Sequence, residues 1–123
     1  MKKHSQRAQR VGEQIQRELA ELLRDEVKDP RVVRVTVTAV EVSSDLSHAK
    51  IFVTHLGGRE HADEAVRGLQ HTAGFLRSAL AQRLNTYSVP QLHFAYDDSI
   101  ESGMRMSQLI DAAVAADGKF PRD

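Results

Sequence analysis

The amino-acid sequence predicts an α+β domain in which helices pack on one face of a three-stranded sheet. Apolar residues recur every three or four positions in residues 11–27 and again in residues 62–84, which is the period of an amphipathic helix. Apolar and polar residues alternate in three shorter stretches, two of them rich in β-branched residues, as is typical of strands. Packing the helical stripes against the sheet buries both kinds of apolar surface together.

The first helix is predicted over residues 11–27. Its charged residues lie opposite an apolar stripe, and Asp29-Pro30 ends it, because the residue before a proline is pushed out of the α region. We expect the stripe to contribute to the hydrophobic core. It comprises Val11, Ile15, Leu19, Leu22, Leu23 and Val27.

Two strands follow, with a turn between them. Residues 32–42 alternate with period two until the phase shifts at Ala39-Val40, which predicts either a β-bulge or a strand buried on both faces near its end. Residues 43–47 contain the short oxygen-bearing side chains that are typical of turns. The pattern of residues 49–56 predicts the second strand. Because the loop between the two strands is short, we expect them to form an antiparallel hairpin.

The second helical pattern runs from Ala62 to Leu84 and keeps its phase across Gly74. It therefore predicts either one helix with a weak or kinked centre or two nearly continuous helices. Pro90 separates this pattern from a third strand over residues 91–96.

The end of the sequence predicts one additional C-terminal helix. Asp98 or Ser99 is placed to cap it, and its apolar residues include Ile100 and Met104. We expect residues 1–116 to form a single domain and residues 117–123 to form a flexible tail.

Charge is segregated along a chain whose formal net charge is zero. No Asp or Glu occurs in residues 65–96, a window in which the overall composition predicts about four. A second acid-free block opens the chain and ends before Glu13. Clustered positive charge attracts polyanions even at zero net charge, because the attraction depends on the local field. Two ordinary solvated surfaces are the alternative interpretation.

Individual basic residues differ in their sequence neighbours. Arg31, directly after the helix-breaking proline, is either structural or a contact to nucleic acid, and Arg105 in the last helix is a further candidate. Phe75 is placed to stack on a base, but we expect it to pack in the core. The basic residues that lack nearby carboxylates, and are therefore preferred for phosphate contact, are Lys3, Arg7, Arg10, Arg77 and Arg83.

Motifs for catalysis are missing from the sequence. There is no cysteine, no P-loop, no dinucleotide-binding glycine motif, no i,i+4 histidine pair and no nucleophile elbow. We therefore expect a binding protein rather than an enzyme, with no metal, cofactor or small-molecule substrate. No apolar run approaches the ~18 residues of a membrane span and no secretory signal opens the chain, so a cytoplasmic location away from membranes is expected.

Ordered motifs along the chain carry a family resemblance. They are Gln9-Arg10-Val11, Lys28-Asp29-Pro30-Arg31, residues 40–46, residues 49–53, Gly74-Phe75-Leu76-Arg77, residues 90–94, residues 96–99 and Gly103-Met104-Arg105-Met106. Over roughly residues 7–114 the chain resembles the ribosome-binding factor A family of bacterial ribosome-assembly factors. The predicted element order also matches the type II KH-like fold of RNA-binding domains, α-β-β-α-kink-α-β, with the C-terminal helix added.

The resemblance implies a function and a site. Members of this family replace the KH Gly-x-x-Gly loop by an Ala-x-Gly kink, which corresponds here to Thr72, Ala73 and Gly74. The resemblance implies that Gly74 forms this kink, with a backbone that is strained or closely approached. We expect the Thr72 hydroxyl to bond a preceding carbonyl of its own helix rather than a phosphate.

The family resemblance further implies a monomer that binds the small (30S) ribosomal subunit and 16S rRNA. It also implies support of late 16S rRNA maturation, including processing of the 5′ end, and a role in cold adaptation. A protein-interaction adaptor without direct RNA contact is the alternative function.

Overall fold

A computed structural model describes residues 6–84 and 89–99, and these ranges contain three α-helices and a three-stranded sheet. The predicted α+β class and the order α-β-β-α-kink-α-β are confirmed. The predicted C-terminal helix and tail lie outside the described residues. The elements in chain order are α1 (Gln6–Asp25), β1 (Val35–Val42), β2 (His48–His55), α2 (Ala62–His71), α3 (Ala73–Arg83) and β3 (Gln91–Tyr96), with a short 3-10 helix (Arg59–His61) before α2.

The apolar stripe of α1 packs in the core, as predicted. Ile15 and Leu19 are completely buried. A Cβ atom at Gly12 would lie 3.1 Å from the carbonyl oxygen of Val40, so the helix approaches β1 closely at this glycine. The first helix therefore rests directly on the first strand.

β1 and β2 form the predicted antiparallel hairpin. Their register shifts between Val37 and Ala39, which leaves Thr38 without a partner on β2 and confirms the bulge alternative. β1 begins at Val35 rather than Val32, because the Val35 amide donates to the Val32 carbonyl across a turn at 3.1 Å.

A buried carboxylate ties this bulge to the end of β3. The Thr38 hydroxyl donates to Oδ2 of Asp97 at 2.6 Å, and Asp97 is 5% exposed. Oδ1 of Asp97 accepts the amide of Ser99 at 3.0 Å. The carboxylate that bonds this amide is therefore that of Asp97. Asp98, which with Ser99 is one of the two predicted caps, pairs instead with Arg59 at 3.3 Å.

The hydrophobic core lies between the helices and the sheet. β2 is the central strand, paired antiparallel with β1 and parallel with β3. Its residues Ala49, Ile51 and Val53 are completely buried in one cluster with Leu69 of α2 and Leu76 of α3. Within the described ranges, no helix is long and apolar enough to cross a membrane.

We predict that Leu19→Ala lowers the free energy of unfolding by ~2–5 kcal/mol, because it removes completely buried methyl groups and leaves a cavity beneath α1. Urea denaturation followed by circular dichroism measures the change. Arg17→Ala, at an exposed position of the same helix, is the control and should change the free energy by less than ~0.5 kcal/mol. A wild-type midpoint for Leu19→Ala would show that this stripe does not hold the helix on the sheet.

Candidate nucleic-acid interface

The helical segment that covers the sheet breaks at Thr72, which lies between α2 and α3 with φ −98° and ψ 7°. Its amide donates to the carbonyls of Gly68 and Leu69 at 3.2 and 3.1 Å, and its hydroxyl donates to the same two oxygens at 3.3 and 3.1 Å. Its own carbonyl accepts the amide of Leu76 at 3.0 Å. Thr72 thus ends α2 and precedes the first residue of α3. The predicted hydrogen bond of its hydroxyl to a preceding carbonyl is confirmed.

Gly74 is not the residue at which the helix kinks. It is the second residue of α3, and among the glycines of the described ranges only Gly58 has a positive φ. No heavy atom of the residues that the structure describes lies within 4 Å of the position that a Cβ would take at Gly74. The expectation of a strained or crowded backbone at this glycine is therefore wrong, and its exposed surface is open to solvent.

α2 lies directly on the segment that precedes β1. A Cβ atom at Gly68 would lie 2.9 Å from both Arg31 Cβ and Val32 Cγ1, so only glycine fits without a shift. Next to this contact, Asp29 accepts the Arg31 amide and Nε at 2.9 and 3.0 Å on Oδ1, and Nη2 at 2.7 Å on Oδ2.

This pairing shifts the titration of the carboxylate. The hydrogen bonds from the Arg31 side chain and amide lower the pKa of Asp29 to about 2, and the nearby charges of Arg31 and His71 act in the same direction. Arg31 therefore has a structural role at the base of α2. Its contact with RNA stays a prediction.

Arg83 has carboxylate partners that its sequence neighbours do not show. Its Nη1 lies 2.8 Å from Oε1 of Glu18 and 3.1 Å from Oε1 of Glu21, both on α1. These hydrogen bonds raise the pKa of Arg83, with that from Glu18 the larger cause. The premise that Arg83 lacks nearby carboxylates is wrong in three dimensions, because the fold joins the end of α3 to the middle of α1. Its phosphate contact remains untested.

Arg77 keeps its charge uncompensated among the described residues. Its Nη2 donates to the carbonyl of Val89 at 2.8 Å and its Nε to that of Pro90 at 3.3 Å. Both acceptors are neutral, and Arg77 is exposed on a helix that contains no Asp or Glu. The guanidinium therefore fixes the segment before β3 while its positive charge faces solvent.

The remaining candidates lie on α1 or outside the described residues. Arg7 and Arg10 are exposed in the first two turns of α1. Lys3 and Arg105 lie outside the described ranges. A further basic residue of the acid-free stretch is Arg67, which follows Asp63 and Glu64 by four and three residues. It is exposed on α2, and no ion pair or hydrogen bond holds its side chain among the described residues.

The histidines form pairs rather than a metal-binding cluster. His48 and His93 lie on adjacent strands with Nδ1 and Nε2 3.0 Å apart. His55 and His61 stack with ring centroids 4.5 Å apart. Within the ranges that the structure describes, no group of three or more metal-ligating side chains occurs.

One protein-family model, described as ribosome-binding factor A, matches residues 7–110. The chain belongs to the ribosome-binding factor A family. The relative of that name from Aromatoleum aromaticum is 51% identical over 123 residues, which cover 100% of this chain and 97% of the relative. The relative from Thioalkalivibrio sulfidiphilus is 57% identical over 111 residues, which cover 90% of this chain and 86% of the relative. The family resemblance seen in the sequence is confirmed.

Solved structures of the family share this fold. The crystal structure of ribosome-binding factor A from Thermus thermophilus matches with a TM-score of 0.65 at 31% identity, covering 72% of this chain and 93% of that chain. A solution NMR structure of a Thermotoga maritima relative matches with a TM-score of 0.61 at 30% identity, covering 85% and 100%. A homology model of the Thermus thermophilus protein, fitted into a cryo-EM map of a complex with the 30S subunit, matches with a TM-score of 0.58 at 33% identity, covering 68% and 88%.

Two glycines of the same helical segment are predicted to respond in opposite directions to alanine. Gly74→Ala should raise the free energy of unfolding by roughly 0.5–1 kcal/mol, because the site is open and alanine loses less backbone entropy in a helix. Gly68→Ala should lower it by about 1–3 kcal/mol, because the added Cβ overlaps the segment beneath α2. Urea denaturation measures both. Stabilisation by Gly68→Ala would contradict the close approach of α2 to Arg31 and Val32, and destabilisation by Gly74→Ala would contradict the placement of the kink at Thr72.

Acid should remove the contribution of Asp29 to stability. Its pKa is about 2 in the folded chain against an ordinary pKa of 3.8, so the contribution is fully present above pH 3.8 and is lost as pH falls through about 2. We therefore expect the stability difference between wild type and Asp29→Asn to be constant near neutral pH and to shrink steadily below 3.8. Urea titrations at a series of pH values test this. A difference that does not change with pH would mean that Asp29 does not pair with Arg31 in solution.

Proposed function

We propose that the chain binds the immature small ribosomal subunit and supports late maturation of 16S rRNA, including processing of its 5′ end. Membership of the ribosome-binding factor A family over residues 7–110 supports this proposal. A relative with the same fold, 33% identical, is described in a complex with the 30S subunit. A cytoplasmic, monomeric protein that contributes to growth in the cold belongs to the same proposal.

The observation that carries the proposal is the combination of exposed backbone and uncompensated charge along α3. Gly74 leaves its helical backbone open, and Arg77 lies one turn further along with its charge unneutralised. The Nη1 group of Arg77 has no partner among the described residues and is free to donate to a phosphate oxygen. RNA is the partner that this surface fits best, because its phosphates bind positive charge and Gly74 leaves room for a close approach.

The proposed activity is binding rather than catalysis. A protein that prefers one arrangement of the rRNA shifts its population by the difference in affinity between the arrangements. The chain would leave the subunit once a later conformation excludes it. No covalent step is needed for such a role.

The proposal predicts a defined salt dependence. Each phosphate contact to single-stranded RNA contributes about −0.7 to the slope of log K against log salt concentration. We expect Arg10→Ala together with Arg77→Ala to reduce the slope by about 1.4 and to weaken subunit binding, measured by pelleting with purified small subunits at several salt concentrations. Arg24→Ala, which removes an exposed arginine already paired with Asp25 at 3.1 Å, is the matched control.

Two results of this experiment would count against the proposal. A slope near zero for the wild type would favour the protein-interaction adaptor. A double variant that binds like Arg24→Ala would remove these two arginines from the RNA surface.

The role in processing is tested in cells that lack the chain. We expect 16S rRNA with an unprocessed 5′ end to accumulate in free small subunits, more strongly at low temperature, and to disappear when the wild-type chain is restored. Normal 5′ ends in the deletion strain at low temperature would refute this part of the proposal.

A further inference from the structure

Phe75 is a large aromatic side chain on the surface of the molecule. It is 47% exposed, although we expected it to pack in the core, and it is not among the residues that line the core cluster. The other Phe and Tyr residues in the described ranges, Phe52, Phe94 and Tyr96, are buried or half-buried. The expectation of burial was wrong because it rested on hydrophobicity alone. Phe75 is as apolar as Leu76 and Leu80, but it lies outside the buried stripe that those two residues form.

The surroundings of Phe75 leave room for a flat ligand. It is the third residue of α3, and the residues that follow it on the same face of the helix are Ser78 and Ala79, three and four positions later. Both are small. Gly74 precedes it, and no heavy atom of the described residues lies within 4 Å of the position that a Cβ would take there, so the helix surface next to Phe75 is open.

The electrostatic surroundings favour a polyanion. α3 contains no Asp or Glu, and the exposed Arg77 follows Phe75 by two residues. On the other side of the kink, His71 and Arg67 are exposed on α2. A protein partner that covered the ring would need its own acidic groups to match these charges, whereas RNA carries them on every nucleotide.

We propose that Phe75 stacks on the base of an unpaired nucleotide of the RNA that the α3 surface binds. Aromatic side chains recognise RNA by stacking on unstacked bases, and bases inside a duplex offer no free face. Arg77 lies two residues further along α3, on another face of the helix, and its charge attracts the phosphates of the same strand. The interface therefore recognises single-stranded rRNA rather than a helix. This inference rests on the proposed function, since it names the kind of RNA that the surface takes.

Two other exposed apolar residues do not share these surroundings. Val33 is 62% exposed in the turn before β1, and Leu56 is 79% exposed directly after β2. Both are aliphatic, and both lie outside the acid-free stretch. Scattered aliphatic residues of this kind are normal on protein surfaces. Leu56 therefore provides a matched control for the removal of an exposed apolar side chain.

The first test is the affinity for purified small subunits of a set of variants at position 75. We expect Phe75→Ala to weaken binding by roughly 5- to 150-fold, which is the range for the loss of one stacked base. Phe75→Leu should lose a similar factor, because leucine is apolar but not flat, whereas Phe75→Trp should bind as well as wild type. Leu56→Ala should bind like wild type. Melting temperatures of all variants should stay close to that of the wild type, because the side chain lies outside the core.

The second test identifies what the ring touches. The photoreactive residue benzoylphenylalanine is placed at position 75, and at position 56 as the control, and the complex with the small subunit is irradiated. We expect an adduct at position 75 with an unpaired nucleotide of 16S rRNA, mapped by a stop in reverse transcription, and none at position 56.

Several results would overturn the stacking inference. Wild-type affinity in Phe75→Ala would do so, and so would full affinity in Phe75→Leu, which would indicate an apolar contact with a ribosomal protein. An adduct only with a ribosomal protein, an adduct with a base-paired nucleotide, or no adduct with rRNA at position 75 would also overturn it. If the wild-type chain does not bind small subunits at all, the proposed function fails first and the stacking inference fails with it.

Discussion

The parallel pairing of β2 with β3 is the constraint on which the rest of the structure depends. Parallel neighbours cannot be joined by a tight turn, so the chain must cross the sheet between His55 and Gln91. One straight helix over residues 62–83 would be about 33 Å long. The eight-residue strands beneath it span only about 26 Å. The break at Thr72 folds the crossover back over the sheet, and the accessible backbone near Gly74 is a result of that connection.

The same crossover determines which positive charges remain available. It brings the end of α3 against α1, where Glu18 and Glu21 neutralise Arg83. Arg77 meets carbonyls instead, and its charge persists. Arg31 lies beneath α2 and is paired with Asp29. The acid-free stretch of the sequence is therefore only partly a positive surface in the folded molecule. Within the described residues, its exposed arginines without a carboxylate partner are Arg67 on α2 and Arg77 on α3.

Sequence periodicity predicted the elements of this fold because each strand and helix buries one face. The bulge in β1 was visible for the same reason, since the extra residue moves the apolar positions to the other face at Ala39. The kink was placed at the wrong residue. A glycine in a helical pattern suggests a flexible position, but the break depends on the hydrogen bonds of Thr72. These bonds cannot be predicted from the spacing of apolar residues.

The site was harder to predict than the fold, because its charges are set by residues far apart in the sequence. Arg83 and Glu18 are 65 positions apart, and no local pattern reports their pairing. The exposure of Phe75 was equally hidden, because an aromatic residue beside an apolar stripe looks like part of it. Arg67 gave no clear signal in the sequence, because Asp63 and Glu64 lie one turn before it, yet no ion pair joins it to either of them in the described structure.

The bulge at Thr38 has a consequence for how molecules of this chain meet one another. In the described sheet β1 is an edge strand, and an edge offers its free amides and carbonyls as a template for a strand of another chain. The register shift interrupts that template in the middle of β1. A strand of another chain can therefore form regular hydrogen bonds with only one half of the edge. The Asp97 carboxylate holds the irregularity in place through the Thr38 hydroxyl. The other contact of this hydroxyl, 3.2 Å from the Phe52 carbonyl oxygen, lies across the bulge on β2. An irregular edge of this kind opposes edge-to-edge pairing along β1.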